Sequence, residues 1–257
     1  MDTEAAHNNR IAKELTEILL TDPGKLAIMH EEGSLFAVLP ELDDAFQCEQ
    51  NNPYHMYNVG MHSIVTAENI EADPVLRWAA ILHDLGKPET KTTDERGDHF
   101  YGHPAKSAEI AKSILYKYEF SDKFISEVTD LIISHDSSLP SKRSIRRFVR
   151  KYSWEFLDKH FKLSRADILA HHKNYVPELL ANLKKEMELA DLVKDEDPDD
   201  NNKYRNLALK GQDLIEYGIP QGPEIGLLLD KAYDAIAKDP EKNTKEQLIE
   251  LLLGKRK

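Results

Sequence analysis

Apolar positions along the chain recur every three or four residues and almost nowhere alternate, so the pattern predicts helices from end to end. Residues 3–21 carry Ile11, Leu15, Ile18 and Leu19 at helical spacing, and Thr21-Asp22-Pro23-Gly24 stops the run. Two short apolar pieces follow at 26–29 and 35–39, split by Gly33 and ended by Pro40, and both read as short helices. Asn51-Asn52-Pro53 is a turn. From Asn58 a helix then sets Val59, His62 and Val65 or Thr66 on a single stripe. Residues 77–82 form an apolar helix that runs into His83-Asp84-Leu85-Gly86-Lys87-Pro88. Gly86 stands where a left-handed cap would go, and Pro88 forbids continuation. The polar stretch 87–101 reads as a loop over the mouth of a site.

Further helices are expected from Pro104 through Leu115, over 128–135, in the basic run 141–152, and over 157–172 and 177–194. An acidic break at 195–202 separates a tail with its own pattern, Gly-rich at 211–226 and helical over 227–238 and 244–253. No repeat of 20–50 residues and no convincing strand is visible, so the expected fold is all-α. The expected organisation is an N-terminal helical segment 1–50, a central helical domain 51–194 and a C-terminal helical extension 203–257.

Charge narrows the partners. The net charge is −12, a field that repels nucleic acid and disfavours tight nonspecific binding to it. A small phosphorylated ligand is still allowed, because a bound metal and a local basic patch reverse the field within one pocket. Cys48 is the single cysteine, so an internal disulfide is excluded and a reducing compartment expected. No apolar run approaches the roughly 18 residues needed to span a bilayer. Met1-Asp2-Thr3-Glu4 has no leader character, which leaves the cytoplasm as the expected location.

The chemistry gathers at helix ends. Burying an ionisable pair in an apolar helix is costly unless the pair is neutralised or holds a metal. His83-Asp84 is such a pair. His62, flanked by apolar neighbours, His103 at a helix start, His135 at a helix end and Asp167 among apolar residues are its candidate partners. A lone histidine on an apolar stripe is more often structural, and Asp167 has the alternative of a surface pair with Arg165. His62, His83, Asp84 and Asp167 suit one ion, while the second oxygen of Asp84 with His103 and His135 suits another ion or a phosphate. Imidazole and carboxylate donors together favour Mn, Fe, Co, Ni or Zn over Ca, one or two ions in all. Such an ion lowers the pKa of water and polarises a phosphoryl oxygen, and Lys87 neutralises charge developing on the phosphate. Arg146 and Arg147, on the basic face that follows His135, are either solvated or dock phosphate. His55 either reaches the ligand or packs in the core.

The order His62…His83-Asp84…Asp167, with His-Asp-Leu-Gly-Lys at 83–87, resembles the HD-domain metal-dependent phosphohydrolase superfamily. Pro40-Glu41-Leu42, Pro53-Tyr54-His55…Val59-Gly60-Met61-His62, Gly102-His103 and above all the tail motif 211–226 are similar to the HD-containing half of bacterial tRNA nucleotidyltransferases and poly(A)-polymerase-like proteins. The resemblance implies an HD-domain helical bundle with a helical C-terminal extension. It also implies metal-dependent hydrolysis of a nucleotide or small phosphate ester, 2′,3′-cyclic or 2′-phosphorylated nucleotides included. By that pattern His62, His83, Asp84 and Asp167 hold the first metal, and His103 and His135 match second-metal or phosphate positions. The nucleotidyltransferase head, with its Gly-Ser turn and strand-borne Asp-x-Asp, has no counterpart here, so nucleotidyl transfer is not expected. Without a Gly-Tyr-Pro motif, a cyclic-di-GMP phosphodiesterase is disfavoured. The alternative is a non-catalytic module that binds tRNA or a nucleotide on the same scaffold. A homodimer is compatible with either reading.

Overall fold

The computed structural model describes residues 4–95, 97–196 and 207–254. In chain order the elements are α1 (Glu4–Thr21), α2 (Lys25–Glu31), α3 (Leu35–Val38), α4 (Pro40–Ala45), α5 (Val59–Glu68), α6 (Pro74–Leu82), α7 (Lys87–Thr90), β1 (Thr92–Asp94), β2 (Gly97–His99), α8 (His103–Lys117), α9 (Asp122–Ser134), α10 (Lys142–Lys151), α11 (Trp154–Leu169), α12 (Val176–Glu196), α13 (Gly211–Glu216), α14 (Pro223–Lys238) and α15 (Lys245–Leu253). The fold is all-α, with one antiparallel hairpin among the described residues, in which Thr92 pairs with His99 and Asp94 with Gly97. That hairpin corrects the loop and the absence of strands expected from sequence. Its strands are three residues each, and β1 is exposed throughout, so no apolar alternation marks them.

The contacts divide the chain into two units, residues 1–141 with 155–189, and 142–154 with 190–257. In the first, α6 is the central helix. Asp73 caps it by accepting from the Leu76 amide, Pro74 opens it, and its last seven residues are all buried, as expected of a helix apolar all round. Leu15 and Leu19 of α1, Ile64 of α5, Ile114 and Leu115 of α8, Val128 and Leu131 of α9, and Leu163 of α11 join it in one core. The Trp78 indole, fully buried, donates to Thr16 Oγ1 at 3.0 Å, which ties α1 to α6.

Gly86 departs from expectation. Its φ is −81°, right-handed rather than a left-handed cap, and Lys87-Pro88 open a new helical turn instead of ending one. The glycine is required by proximity: a Cβ there would lie 2.5 Å from the Ser107 amide nitrogen and 2.7 Å from the His103 carbonyl oxygen, both backbone atoms of α8. The Gly86 amide donates to Ser107 Oγ at 2.8 Å across the same contact.

In the second unit, α10 buries Ile145, Phe148 and Val149 and exposes Arg143, Arg147 and Arg150. The tail helices share a core of their own, with Leu209, Leu214, Leu228, Ala232 and Leu248. Lys245 of α15 pairs with Asp213 of α13 at 2.6 Å. Most of the expected acidic break, 197–202, lies outside the described residues. Among the described residues no helix is long and apolar enough to cross a membrane.

Candidate metal centre

Three elements deliver side chains to one point in the first unit. Asn58 caps α5 by accepting from the Met61 amide, which starts the helix so that His62 falls inward with no exposure. The end of α6 supplies His83 and, in the next turn, Asp84, while α11 supplies Asp167. His62 Nε2 donates to Asp167 Oδ1 at 2.8 Å and lies 3.5 Å from Asp84 Oδ2. His83 Nε2 lies 3.3 Å from Asp84 Oδ2 and 3.5 Å from Asp167 Oδ1.

A second group meets the other oxygen of Asp84. His103 opens α8 behind Gly102, whose φ of +83° is the left-handed turn that aims the helix start at the site. His135 caps the end of α9. Their Nε2 atoms lie 3.3 and 3.7 Å from Asp84 Oδ1 and 3.1 Å from each other.

Hydrogen bonds on the far side of each ring fix the tautomers. The Nδ1 atoms of His83, His103 and His135 donate to the carbonyls of Ala80, Phe100 and Ile132 at 2.7, 2.9 and 2.7 Å. A carbonyl only accepts, so each Nδ1 carries a proton and each ring turns its Nε2 toward Asp84. The Nε2 atoms of His103 and His135, 3.1 Å apart beside a carboxylate, call for a cation or a shared proton between them. His83 Nε2 and both oxygens of Asp84 are buried, yet complete no well-aligned hydrogen bond. Nitrogen and oxygen atoms 2.8–3.5 Å apart have the spacing of ligands that share one ion at about 2.0–2.2 Å. The residues therefore fit divalent metal in two groups, His62, His83 and Asp84 in one and Asp84, His103 and His135 in the other.

The electrostatics agree. Burial favours neutral His83, but the Asp84 carboxylate and the hydrogen bond toward Asp167 outweigh it and push the imidazole up to about 10, so the site calls for a cation at Nε2. Asp84 resists desolvation and stays well below the usual carboxylate range because His83 and Lys87 face it. Burial, with His83 alongside, pushes His135 down to about 3. Lys87, itself buried, stands 2.7 Å from Asp84 Oδ2 and donates to Gln50 Oε1 at 2.8 Å.

All six expected ligand positions and Lys87 meet here, and Asp167 turns inward rather than pairing with Arg165. His55 is half-buried, lines a cavity of about 340 Å³ above Asp84, and is pushed down to about 2 by burial and by Lys87. Arg146 and Arg147 sit on α10 in the second unit, where Arg146 pairs with Glu196 at 2.8 Å and Arg147 is exposed.

Sequence reasoning passed over His171, Asp136 and Gln50. His171 lines the cavity, packs 4.6 Å from the His55 ring, and donates through Nδ1 to the Asp167 carbonyl at 2.8 Å. Its i+4 spacing from Asp167 was the available signal. Asp136 lines the same cavity one residue after a ligand position, whereas nothing local to Gln50 marks it.

Comparison with known proteins places these residues in a wider set. The family model of the HD domain matches residues 54–196. The CC-adding tRNA nucleotidyltransferase of Thermus thermophilus is 28% identical over 257 residues, covering 95% of this chain and 56% of that protein. The A-adding tRNA nucleotidyltransferase of Deinococcus radiodurans is 30% identical over 152 residues, covering 55% of this chain and 35% of that protein. A multifunctional CCA protein of Azoarcus sp. is 37% identical over 94 residues, 35% of this chain and 22% of its own length. The chain thus spans about half, or less, of the length of the curated relatives it matches.

Proposed function

The chain belongs to the HD domain family, and on that premise we propose that it is a metal-dependent phosphohydrolase. Its substrate is a nucleotide or another small phosphate ester, 2′,3′-cyclic and 2′-phosphorylated nucleotides included. HD domains bind divalent metals and are generally hydrolases. The observation that carries the reading is the division of Asp84, one oxygen facing His62 and His83 and the other facing His103 and His135.

His62, His83, Asp84 and Asp167 would hold one ion of Mn, Fe, Co, Ni or Zn, and Asp84, His103 and His135 a second. When bound, such ions activate water and polarise a phosphoryl oxygen. The protein's own groups do the rest. The carbonyl bonds at Nδ1 of His83, His103 and His135 hold the donor atoms in place before any ligand arrives. Lys87 neutralises part of the charge that builds on the phosphoryl oxygens. His55, kept neutral by burial, offers a hydrogen bond from the cavity wall to the ester.

The test is turnover of a phosphatase and cyclic-nucleotide panel by chain stripped of metal and reloaded with each divalent ion. Near-stoichiometric uptake and hydrolysis are expected with at least one transition ion. Both should drop in His83→Ala, turnover by more than roughly 100-fold. Absence of uptake and turnover with every ion overturns the proposal. The relatives' names favour one second reading, a scaffold that holds tRNA or a nucleotide without turning it over. Metal-free protein that retards tRNA with no hydrolysis would select it, against the opposition of 12 net negative charges.

A further inference from the structure

At the end of β2 Asp98 is buried, His99 is half-buried, Phe100 packs against the core and Tyr101, in the turn that follows, has 78% of its surface exposed. The His99 and Tyr101 rings are stacked nearly parallel, 9° between planes and 5.6 Å between centroids. The lower ring is held from behind, because His99 Nε2 and Asp94 Oδ1 are 2.9 Å apart.

The hairpin beneath is fixed to the domain by Asp98. Its Oδ2 accepts from the Asn51 amide at 2.8 Å and pairs with Lys91 at 2.8 Å, and its Oδ1 accepts from Thr93 at 2.7 Å. Gly97, with φ of +114°, lets the strand approach so closely that a Cβ would meet Asn51 O at 2.3 Å. Both rings line the cavity that contains Asp84, His103 and His135. Only Gly102 separates Tyr101 from His103, so their Cα atoms are at most about 7 Å apart.

From this geometry we infer that Tyr101, backed by His99, is the platform on which the base of a nucleotide substrate stacks while its phosphate sits at Asp84, His103 and His135. The inference rests on the hydrolase reading and names its substrate class. Every base has a π-face to lay on an aromatic ring, so stacking makes the site tolerant of base identity and favours purines through their larger surface.

The experiment compares the full chain with Tyr101→Ala and Tyr101→Phe on adenosine and cytidine 2′,3′-cyclic phosphates and on β-glycerophosphate, which has no ring. Tyr101→Ala should raise KM for the nucleotides about 5-fold or more, the low end of what stacking one base contributes because the ring is exposed. It should leave kcat within twofold and leave β-glycerophosphate turnover unchanged. Tyr101→Phe should restore the nucleotide KM.

A second measurement needs no turnover. The fluorescence of 1,N6-ethenoadenosine monophosphate, titrated with protein loaded with a divalent ion, should change with wild type and Tyr101→Phe but not with Tyr101→Ala. Equal nucleotide KM values in wild type and Tyr101→Ala overturn the platform and leave the hydrolase intact. A stacking signal without hydrolysis of any ester keeps the platform and overturns the hydrolase. Equal signals in wild type and Tyr101→Ala overturn the platform whatever the activity.

Discussion

Replacing Gly86 with alanine separates two effects of opposite sign. At a right-handed φ of −81°, alanine is conformationally acceptable, and a Gly→Ala change at such a site ordinarily stabilises by about 0.4–1 kcal/mol through the unfolded chain. Here the new methyl group would sit 2.5 Å from the Ser107 nitrogen and 2.7 Å from the His103 oxygen. Neither atom can swing aside, since both belong to the backbone of α8. Restoring ordinary contact near 3.4 Å requires the first turn of α8 to retreat by most of an ångström. Overpacking of that kind costs about 1–3 kcal/mol, so the contact outweighs the chain entropy and the net change is destabilising by roughly 1–2 kcal/mol. For a unit of this size that lowers Tm by about 3–6 °C. The retreat also draws His103 away from Asp84 Oδ1, now 3.3 Å distant, and leaves His62 and His83 where they are. Metal analysis after equilibration with limiting Mn²⁺ should therefore show loss of the ion nearest α8 and retention of the other. A Gly86→Ala protein with unchanged or higher Tm and undiminished metal content would refute the account.

Lys87→Met removes the cation 2.7 Å from Asp84; the metal-free variant should lose about 3 kcal/mol, and a saturating divalent ion should narrow the gap, which melting with and without chelator would detect. An equal gap in both conditions would mean that Lys87 and metal do not compete for the same charge. His160 is buried and its pKa is pushed down to about 4 by burial. Its neutral form therefore contributes stability that is fully present above about 6.5 and is lost as pH falls toward 4, close to 2 kcal/mol between pH 7.5 and 5. Urea unfolding at those two pH values should show that His160→Gln loses about 2 kcal/mol less than wild type, and identical losses would exclude His160 as a source of acid sensitivity.

Helices were legible because their apolar stripes and caps are local. Asn58 accepts from the Met61 amide three residues on, short-range chemistry at the point where the helix was expected to begin, whereas α6 starts at Pro74 behind its Asp73 cap, three residues before the apolar run at 77. His62, His83, Asp84, His103, His135 and Asp167 were also legible, since each is an ionisable group where the apolar pattern wants none. Gly86 was misread because its role is set by a helix 21 residues further on, and contact across that separation leaves no local trace. Gln50 was missed for the same reason, being recruited by Lys87 from 37 residues away. The hairpin was missed because its short polar strands are held by Asp98 and Asn51 rather than by a buried apolar face.

The Trp78–Thr16 hydrogen bond bears on where this domain can be cut. The family match begins at residue 54, but Leu15, Leu19, Leu26, Leu35 and Leu42 lie upstream of it in the same core as α6. A fragment trimmed to the match would strip the indole of its acceptor and open the buried flank of the helix that ends in His83-Asp84. Such a fragment would retain every histidine and aspartate of the centre and lose the apolar surface packed behind them, so the matched span is shorter than the core that supports it.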